Sequence, residues 1–259
     1  MIGAIIGDIA GSIYEGRRTV RFEGFFGPNH FPTDDTILTL ATMEVLLDGG
    51  DYGEAYHRWG RQNPHKGYGG RFRMWLKSDR PSPYGSYGNG AGMRVSPVGW
   101  YFDTWEEVLA EAERSAEVTH NHPEGIKGAQ AIAGAVFLAR TVKDKEVMRS
   151  TLASHFGYDL DRHIDERQID RKWDETCQGT VPLAILAFLD SADFEDAVYR
   201  GIHIGWDSDT IACMAGAIAE AYYDEIPTYM IDEALNRLPV EYVELVERFY
   251  TSLDRRLSP

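Results

Sequence analysis

The sequence predicts an all-α protein, on three observations. Apolar residues recur at helical spacing over most of the chain, alternating β patterns are nearly absent, and two Gly- and Pro-containing loops interrupt the helical stretches. The chain has 259 residues, 43% of them hydrophobic and 26% charged, which is ordinary globular composition. We find no repeat and no linker, so we expect a single domain over residues 1–259.

The first predicted helix is rich in small residues. Gly3, Gly7 and Gly11 lie four positions apart, and a late helix repeats the spacing with Ala212 and Gly216. Small residues let helix backbones approach closely, so we expect these two helices to cross tightly at the centre of the fold. Apolar periodicity and a capping box at Thr104 predict further helices near residues 37–46, 104–116, 124–140, 146–155, 181–189, 194–204, 210–223, 228–238 and 241–253.

Three segments depart from this helical pattern. Residues 22–32 and 81–99 are rich in Gly, Pro or aromatic residues and are predicted to be loops, the second a candidate for function because it is long. Residues 157–173 are strongly charged, so we expect a surface excursion without chemistry there.

Charge and cysteine content exclude several classes of protein. The formal net charge is −15, which opposes binding to nucleic acid or to an anionic membrane surface. Cys177 and Cys213 lie far apart in apolar surroundings, as expected of free thiols in a reducing compartment. No basic leader and no run of about 20 apolar residues is present, so we expect a cytoplasmic, monomeric protein that does not enter a membrane.

The first acidic cluster lies where a loop meets a helix. Thr33, Asp34 and Asp35 precede an apolar helical face, and a helix start favours such residues as caps. One cap needs only one of them, however, and two adjacent carboxylates repel each other unless a cation lies between them. Capping and metal binding both remain open for this cluster taken alone.

A second cluster repeats these features far along the chain. Asp207, Asp209 and Thr210 follow an apolar run and open a helix of small residues, so their side chains enter near the core. Buried carboxylates need partners, and no Lys or Arg is nearby in the sequence. Oxygen-rich Asp and Thr clusters suit Mg²⁺, Mn²⁺ or Ca²⁺. Together the two clusters predict a two-metal site.

The first helix adds a third group of polar residues. Asp8, Ser12 and Glu15 share one helical face, and Asp8 needs a partner in such apolar surroundings. Glu15 stands near the helix end, where its side chain could reach a cleft or simply be solvated.

The Gly-rich stretch from Gly85 to Gly90 and the pair His120 and His122 carry weaker signals. Glycines let backbone N–H groups approach a phosphate, but the stretch lacks the Lys and the preceding strand of nucleotide-binding loops, so a plain flexible loop is the alternative. The histidines could bind a metal, or could cap the end of the preceding helix.

Taken together, these residues resemble the ADP-ribosylglycohydrolases, a family that includes dinitrogenase reductase-activating glycohydrolases and ADP-ribosylarginine and ADP-ribosylserine hydrolases. The motifs occur in the family's order between Met1 and Ala221. They are Gly7-Asp8-x-x-Gly11-Ser12-x-x-Glu15, Thr33-Asp34-Asp35-Thr36, Gly88-Asn89-Gly90-x-x-Met93-Arg94, Thr119-His120 and Gly205-x-Asp207-x-Asp209-Thr210.

The resemblance implies an all-α fold with two Mg²⁺ or Mn²⁺ ions in a central cleft, and hydrolysis of the bond between ADP-ribose and an acceptor. The acceptor would be arginine or serine on a protein, or a small molecule. The implied metal ligands are Thr33, Asp34, Asp35, Asp207, Asp209 and Thr210. Glu15 and Asp34 would be catalytic. The substrate would contact Gly85, Ser86, Tyr87, Gly88, Asn89, Gly90 and His120.

Two alternatives stay open from the sequence. Asp207-x-Asp209-Thr210 also occurs in phosphotransferases of the haloacid dehalogenase type, but these need a strand before the motif, which the helical pattern disfavours. A second alternative is a non-catalytic protein that binds ADP-ribose with the help of a metal. Retention of all six candidate ligands disfavours it.

Overall fold

The computed structural model describes residues 1–161, 163 and 172–255. Within them the chain forms thirteen α-helices, two short 3-10 segments at Ser12–Tyr14 and Asn89–Ala91, and no strand. The prediction of an all-α fold is therefore confirmed. The helices are α1 (Ile2–Gly11), α2 (Asp34–Asp48), α3 (Tyr52–Gln62), α4 (Gly70–Leu76), α5 (Ser96–Tyr101), α6 (Trp105–Glu117), α7 (Pro123–Thr141), α8 (Lys145–Phe156), α9 (Cys177–Leu189), α10 (Phe194–His203), α11 (Ser208–Tyr223), α12 (Thr228–Leu235) and α13 (Val240–Ser252).

The pair α1 and α11 forms the centre of the fold. Every residue of α1 is buried, and α11 is buried from Ser208 to Ala221. The two backbones lie so close that a Cβ at Gly7 would collide with the carbonyl oxygen of Ala212, and a Cβ at Gly11 with Asp209. The predicted crossing is therefore confirmed, and it brings the end of α1 to the start of α11.

The other helices surround this pair. Helices α7, α9 and α10 pack against α11, α2 packs against α1, and α3 and α13 cover α2. Helices α5, α6 and α8 pack against α7. Their apolar side chains join in one continuous core. In the described part of the chain, each helix is too short or too polar to cross a bilayer.

The structure corrects the predicted pattern at several points. Helices α3 and α4 were not predicted, because both are rich in Gly, Arg and polar residues and α4 has only 7 residues. Helix α5 begins inside the predicted loop 81–99. Helix α9 starts at Cys177 rather than at residue 181, since Thr176 caps it and Pro182 lies inside it.

The charged segment 157–173 is not wholly a surface excursion. Residues 162 and 164–171 of this segment lie outside the described residues. In the part that is described, Leu160 is fully buried and Tyr158 nearly so. Both cysteines are buried free thiols, as predicted.

Candidate metal centre

The first acidic cluster occupies the start of α2. Thr33 is the N-cap, and its Oγ1 accepts a 3.4 Å hydrogen bond from the backbone N–H of Asp35. The N–H of Asp34 donates to the carbonyl of Lys66 at 2.8 Å, which ties the start of α2 to the loop before α4. Capping and a further role are thus compatible here, because Thr33 alone caps the helix and both carboxylates remain available.

The second cluster occupies the start of α11. Trp206 adopts a left-handed conformation with φ of 62°, and the chain turns there from α10 into α11. Asp207 and Asp209 follow within the first turn, and the N–H of Thr210 donates to Asp209 Oδ1 at 3.0 Å. Because Gly11 has no side chain, the end of α1 lies directly on Asp209.

Three chain segments therefore bring carboxylates together. Oxygen atoms of Asp8, Asp35 and Asp209 lie within 4.8 Å of one another, and so do oxygen atoms of Glu15, Asp207 and Asp209. Asp209 belongs to both groups. We call these five carboxylates the acidic centre. Glu15 is its exposed member, and the other four are buried.

Two predicted ligands contact the acidic centre from its edge, and a third lies close by. Thr33 Oγ1 and Thr210 Oγ1 each lie 3.4 Å from Asp35 Oδ2. Asp34 is half-buried and points toward Gly67, where an added Cβ would lie 3.1 Å from Asp34 Oδ1. Five of the six predicted ligands thus line one cleft, and Thr33 contacts it through Asp35, although Asp34 lies outside both groups of three carboxylates.

Asp8 was singled out in the sequence but was not predicted as a site residue. Its carboxylate accepts hydrogen bonds from the backbone N–H of Thr33 and of Thr36, at 2.9 and 3.0 Å. It also accepts from both hydroxyls, that of Thr33 at 2.6 Å. Asp8 therefore fixes the first turn of α2, and with it the direction of Asp35. The signals for Asp8 in the sequence were its apolar surroundings and its spacing from Ser12 and Glu15.

The charges of the acidic centre are unbalanced without a cation. Burial, followed by the charge of Asp8, raises the pKa of Asp34 and of Asp35 well above 3.8. Burial, followed by the charge of Asp207, raises the pKa of Asp209 well above 3.8. Burial raises the pKa of Asp207 to about 6, against a hydrogen bond from Asn89 that lowers it. A cation close to these carboxylates would lower each of these pKa values again.

The oxygen atoms of the acidic centre and its edge are of the kind that binds hard cations. Every potential ligand is a carboxylate or hydroxyl oxygen, the type that Mg²⁺ and Mn²⁺ prefer. Asp35 Oδ1 is buried and has no hydrogen-bond partner. Among the described residues, no Lys or Arg forms an ion pair with Asp35, Asp207 or Asp209. The residues present therefore fit divalent cations.

A cavity of about 440 Å³ extends from the acidic centre. The predicted Gly-rich loop forms one wall, and Asn89 Nδ2 donates from it to Asp207 Oδ2 at 2.5 Å. The loop is held in place because Gly85 N–H donates to Asn121 at 2.7 Å and Asn89 N–H donates to the carbonyl of Glu175 at 2.7 Å. It is thus an ordered wall of the cavity, anchored to the α6–α7 connection through Asn121 and to the segment before α9 through Glu175.

His120 lines the same cavity, whereas His122 does not. The ring of His120 is buried, and its burial lowers its pKa well below 6.5, with the charges of Arg94 and Arg71 adding to the effect. His122 caps α7, where Nδ1 accepts from the N–H of Glu124 at 3.1 Å. Neither histidine joins the acidic centre.

Several residues of the cavity wall were not singled out in the sequence. Arg71 stacks over Tyr84 with its Cζ 4.9 Å from the ring centroid, and Trp173 and Glu175 close another side. They come from segments without regular patterning, so only the three-dimensional structure brings them together. The cavity is thus lined by the carboxylates of the acidic centre, by Asp174 and Glu175, and by the cationic side chains of Arg71 and Arg94.

This fold and site define an all-helical protein with an acidic centre, suited to divalent cations, in the wall of a cleft. A family model described as ADP-ribosylglycohydrolase matches residues 1–257. The chain therefore belongs to the ADP-ribosylglycohydrolase family and is a hydrolase that acts on glycosyl bonds.

Individual relatives agree with this assignment. ADP-ribosylhydrolase ARH3 of Mus musculus is 27% identical, over 88% of this chain and 84% of the relative. The putative ADP-ribosyl glycohydrolase L543 of Acanthamoeba polyphaga mimivirus is 27% identical, over 91% and 89%. Among solved structures, an ADP-ribosylglycohydrolase-related protein complex superposes with a TM-score of 0.74 at 26% identity, covering 97% of this chain and 95% of that one.

Proposed function

We propose that the protein removes ADP-ribose from an acceptor by divalent-cation-dependent hydrolysis of the glycosidic bond, and so reverses ADP-ribosylation. The observation that carries the proposal is the convergence of three chain segments on one acidic centre, in a cleft that also contains the cationic side chains of Arg71 and Arg94. An ADP-ribosyl group has ribose hydroxyls at its reacting end, which cations at the acidic centre would bind, and a diphosphate beyond them, which suits the two arginines.

Two divalent cations, Mg²⁺ or Mn²⁺, would be held by Thr33, Asp34, Asp35, Asp207, Asp209 and Thr210. When bound, such cations supply Lewis acidity and orient the hydroxyls of the ribose. Asp8 holds Thr33 through hydrogen bonds, and Asn89 holds Asp207. These neighbours keep the ligands in position, a contribution on which metal sites commonly depend.

The remaining site residues would act on the substrate itself. Glu15 is the exposed carboxylate of the acidic centre and reaches the cavity, so it can take a proton from the attacking water. Asp34, at the cavity wall, is the second candidate for proton transfer. The bond from the ribose anomeric carbon to the acceptor breaks, water supplies the new oxygen, and a proton passes to the leaving atom. Loop 85–90 and His120 would hold the diphosphate and the second ribose.

The test is the release of ADP-ribose from ADP-ribosyl-arginine, ADP-ribosyl-serine and O-acetyl-ADP-ribose, each with Mg²⁺, Mn²⁺ or EDTA. We expect release from at least one conjugate with a divalent cation and none with EDTA, and the conjugate cleaved identifies the acceptor. Binding of ADP-ribose without release would instead favour a binding protein. Phosphate release from a phosphoester would favour a phosphohydrolase.

A pair of variants sharpens this test. Asp209→Asn removes the carboxylate common to both groups of three, so release should fall at least about a hundredfold. Asp103→Asn is the matched control, since the Asp103 side chain is 93% exposed and does not line the cavity. Unimpaired hydrolysis by Asp209→Asn would refute the proposed function.

A further inference from the structure

Arg94 is an unusual residue in the cavity wall because it is a fully buried cation. Its exposure is 0%, and Nε and Nη1 have no hydrogen-bond partner. Its Cζ lies 3.9 Å from the centroid of the Tyr56 ring, a cation–π contact. Among the described residues no carboxylate pairs with it. Its hydrogen bonds come from Nη2, which donates to the carbonyl of Ser115 at 2.8 Å and to Thr119 Oγ1 at 2.9 Å.

The hydrogen bond from Arg94 to Thr119 fixes the direction of the hydrogen bond between Thr119 and His120. A guanidinium has donors only, so Thr119 Oγ1 must accept from Arg94, which leaves its hydroxyl hydrogen to be donated. Thr119 is fully buried, and the acceptor within reach among the described residues is Nδ1 of His120, at 2.7 Å. Nδ1 of His120 therefore accepts and carries no proton.

The tautomer of His120 follows from this chain of donors. Burial and the nearby charges of Arg94 and Arg71 keep the ring neutral. A neutral imidazole with a bare Nδ1 carries its proton on Nε2. Nε2 faces the Gly-rich loop, since a Cβ added at Gly90 would lie 3.1 Å from it and one at Gly88 would lie 3.7 Å away. Nε2 of His120 thus lies against the loop that forms this wall of the cavity, and His120 itself lines the cavity.

We propose that Arg94 and Thr119 are positioning residues, which hold His120 as a neutral Nε2–H donor for an oxygen acceptor of the bound ADP-ribosyl group. The identity of the ligand in this inference rests on the proposed function, whereas the tautomer of His120 rests only on its contacts. A neutral Nε2–H donor suits either a diphosphate oxygen or a ribose hydroxyl, whereas a tautomer with the proton on Nδ1 would offer no hydrogen bond to a diphosphate oxygen and could only accept from a ribose hydroxyl.

The tautomer can be read directly from the wild-type protein. Long-range ¹⁵N–¹H NMR spectra distinguish a protonated ring nitrogen from a bare one, and loss of one signal set in His120→Gln assigns His120 among the 8 histidines. We expect the proton on Nε2 across pH 6 to 8. A proton on Nδ1, or on both nitrogens, would overturn the inference without any variant of the Arg94–Thr119 pair.

Titration of the same sample with two ligands locates the acceptor. We expect ADP-ribose to move the Nε2 signal of His120 as a hydrogen bond forms. If ADP moves it equally, the acceptor is on the diphosphate or the adenosine ribose, which both ligands contain, and if only ADP-ribose moves it, the acceptor is on the terminal ribose. An Nε2 signal that saturating ADP-ribose leaves unchanged shows that the donor is unused, which rejects the proposal.

Substitutions then test the positioning role. Thr119→Val removes the hydroxyl, so His120 should populate both tautomers and KM should rise about five- to tenfold, the effect of one lost hydrogen bond, with kcat little changed. Thr119→Ser should restore the single Nε2–H tautomer and the wild-type KM. Thr180→Val is the control, because Thr180 is equally buried and its hydroxyl donates only to the carbonyl of Thr176. A mixed tautomer with an unchanged KM would contradict the proposal.

Failure of this inference is distinguishable from failure of the proposed function. Absence of ADP-ribose release from every conjugate would reject the hydrolysis and leave the His120 spectrum as it is. A proton on Nδ1 in an active enzyme would reject only the positioning by Arg94 and Thr119.

Discussion

The substitution Asp207→Asn should stabilise the metal-free protein, and more so at high pH. Asp207 is 6% exposed, and burial raises its pKa from 3.8 to about 6. A carboxyl with a raised pKa holds its proton more tightly in the folded state, so its contribution to stability is largest below pH 3.8 and is lost as the pH rises through about 6. At about 1.4 kcal/mol per unit of pKa difference, the raised pKa of Asp207 lowers the free energy of unfolding of the metal-free protein, relative to its value at low pH. The loss is about 3 kcal/mol at pH 8 and about 1 kcal/mol at pH 4.5.

Asparagine removes this charge at every pH. The gain in the free energy of unfolding should therefore be about 2 kcal/mol larger at pH 8 than at pH 4.5, which corresponds to a difference of roughly 4–8 °C in Tm for a chain of this size. Thermal unfolding in EDTA at the two pH values measures it. The exposed Asp103→Asn variant serves as the control, since it should show no such pH-dependent gain.

Divalent cations should reverse the order of stability. At pH 8, saturating Mg²⁺ or Mn²⁺ should raise the Tm of the wild type well above its value in EDTA, because binding to the folded state alone stabilises it. Asp207→Asn has lost one predicted ligand and should gain much less. The reasoning is refuted if Asp207→Asn gains equally at both pH values, or if cations stabilise it as much as the wild type.

Three further predictions follow from single contacts. Glu15→Gln should lower kcat at least about a hundredfold in steady-state assays, because an amide cannot take a proton from water, while the fold is retained. Gly7→Ala should cost at least about 3 kcal/mol in denaturant unfolding, since its Cβ would collide with Ala212 O, whereas Gly69→Ala has no atom within 4 Å and should cost under about 1 kcal/mol. Arg71→Ala should raise KM about tenfold by removing the exposed cation at the end of the cavity, with kcat less affected.

The features that the sequence predicts well are local ones. A cap, a helix start and a small-residue stripe each depend on a few adjacent positions, so the first turns of α2 and α11 and the crossing at Gly7 could be predicted from residue type and spacing. Two acidic pairs at helix starts far apart in the chain could also be expected to meet, because neither has a cationic neighbour to neutralise it.

The features that could not be predicted depend on contacts distant in sequence. Asp8 receives its hydrogen bonds from Thr33 and Thr36, some 25 and 28 positions away, and nothing near Asp8 indicates which segment supplies them. Arg94 reaches Thr119 across 25 positions in the same way. Helices α3 and α4 were missed because packing, rather than local propensity, stabilises short polar helices.

The acidic centre links the stability of the fold to its occupancy. Gly11 allows α1 to lie directly on Asp209, and that close crossing is what brings Asp8 and Glu15 to the carboxylates of α2 and α11. The same approach removes these groups from water, so their repulsion opposes folding whenever they are ionised without a cation. Cations at the acidic centre would relieve the repulsion, and Arg71 in the cavity wall would then remain to meet an anionic group. A chain with a net charge of −15 can in this way accept a diphosphate ligand, and its thermal stability at pH 8 should rise with the fraction of sites that hold a cation.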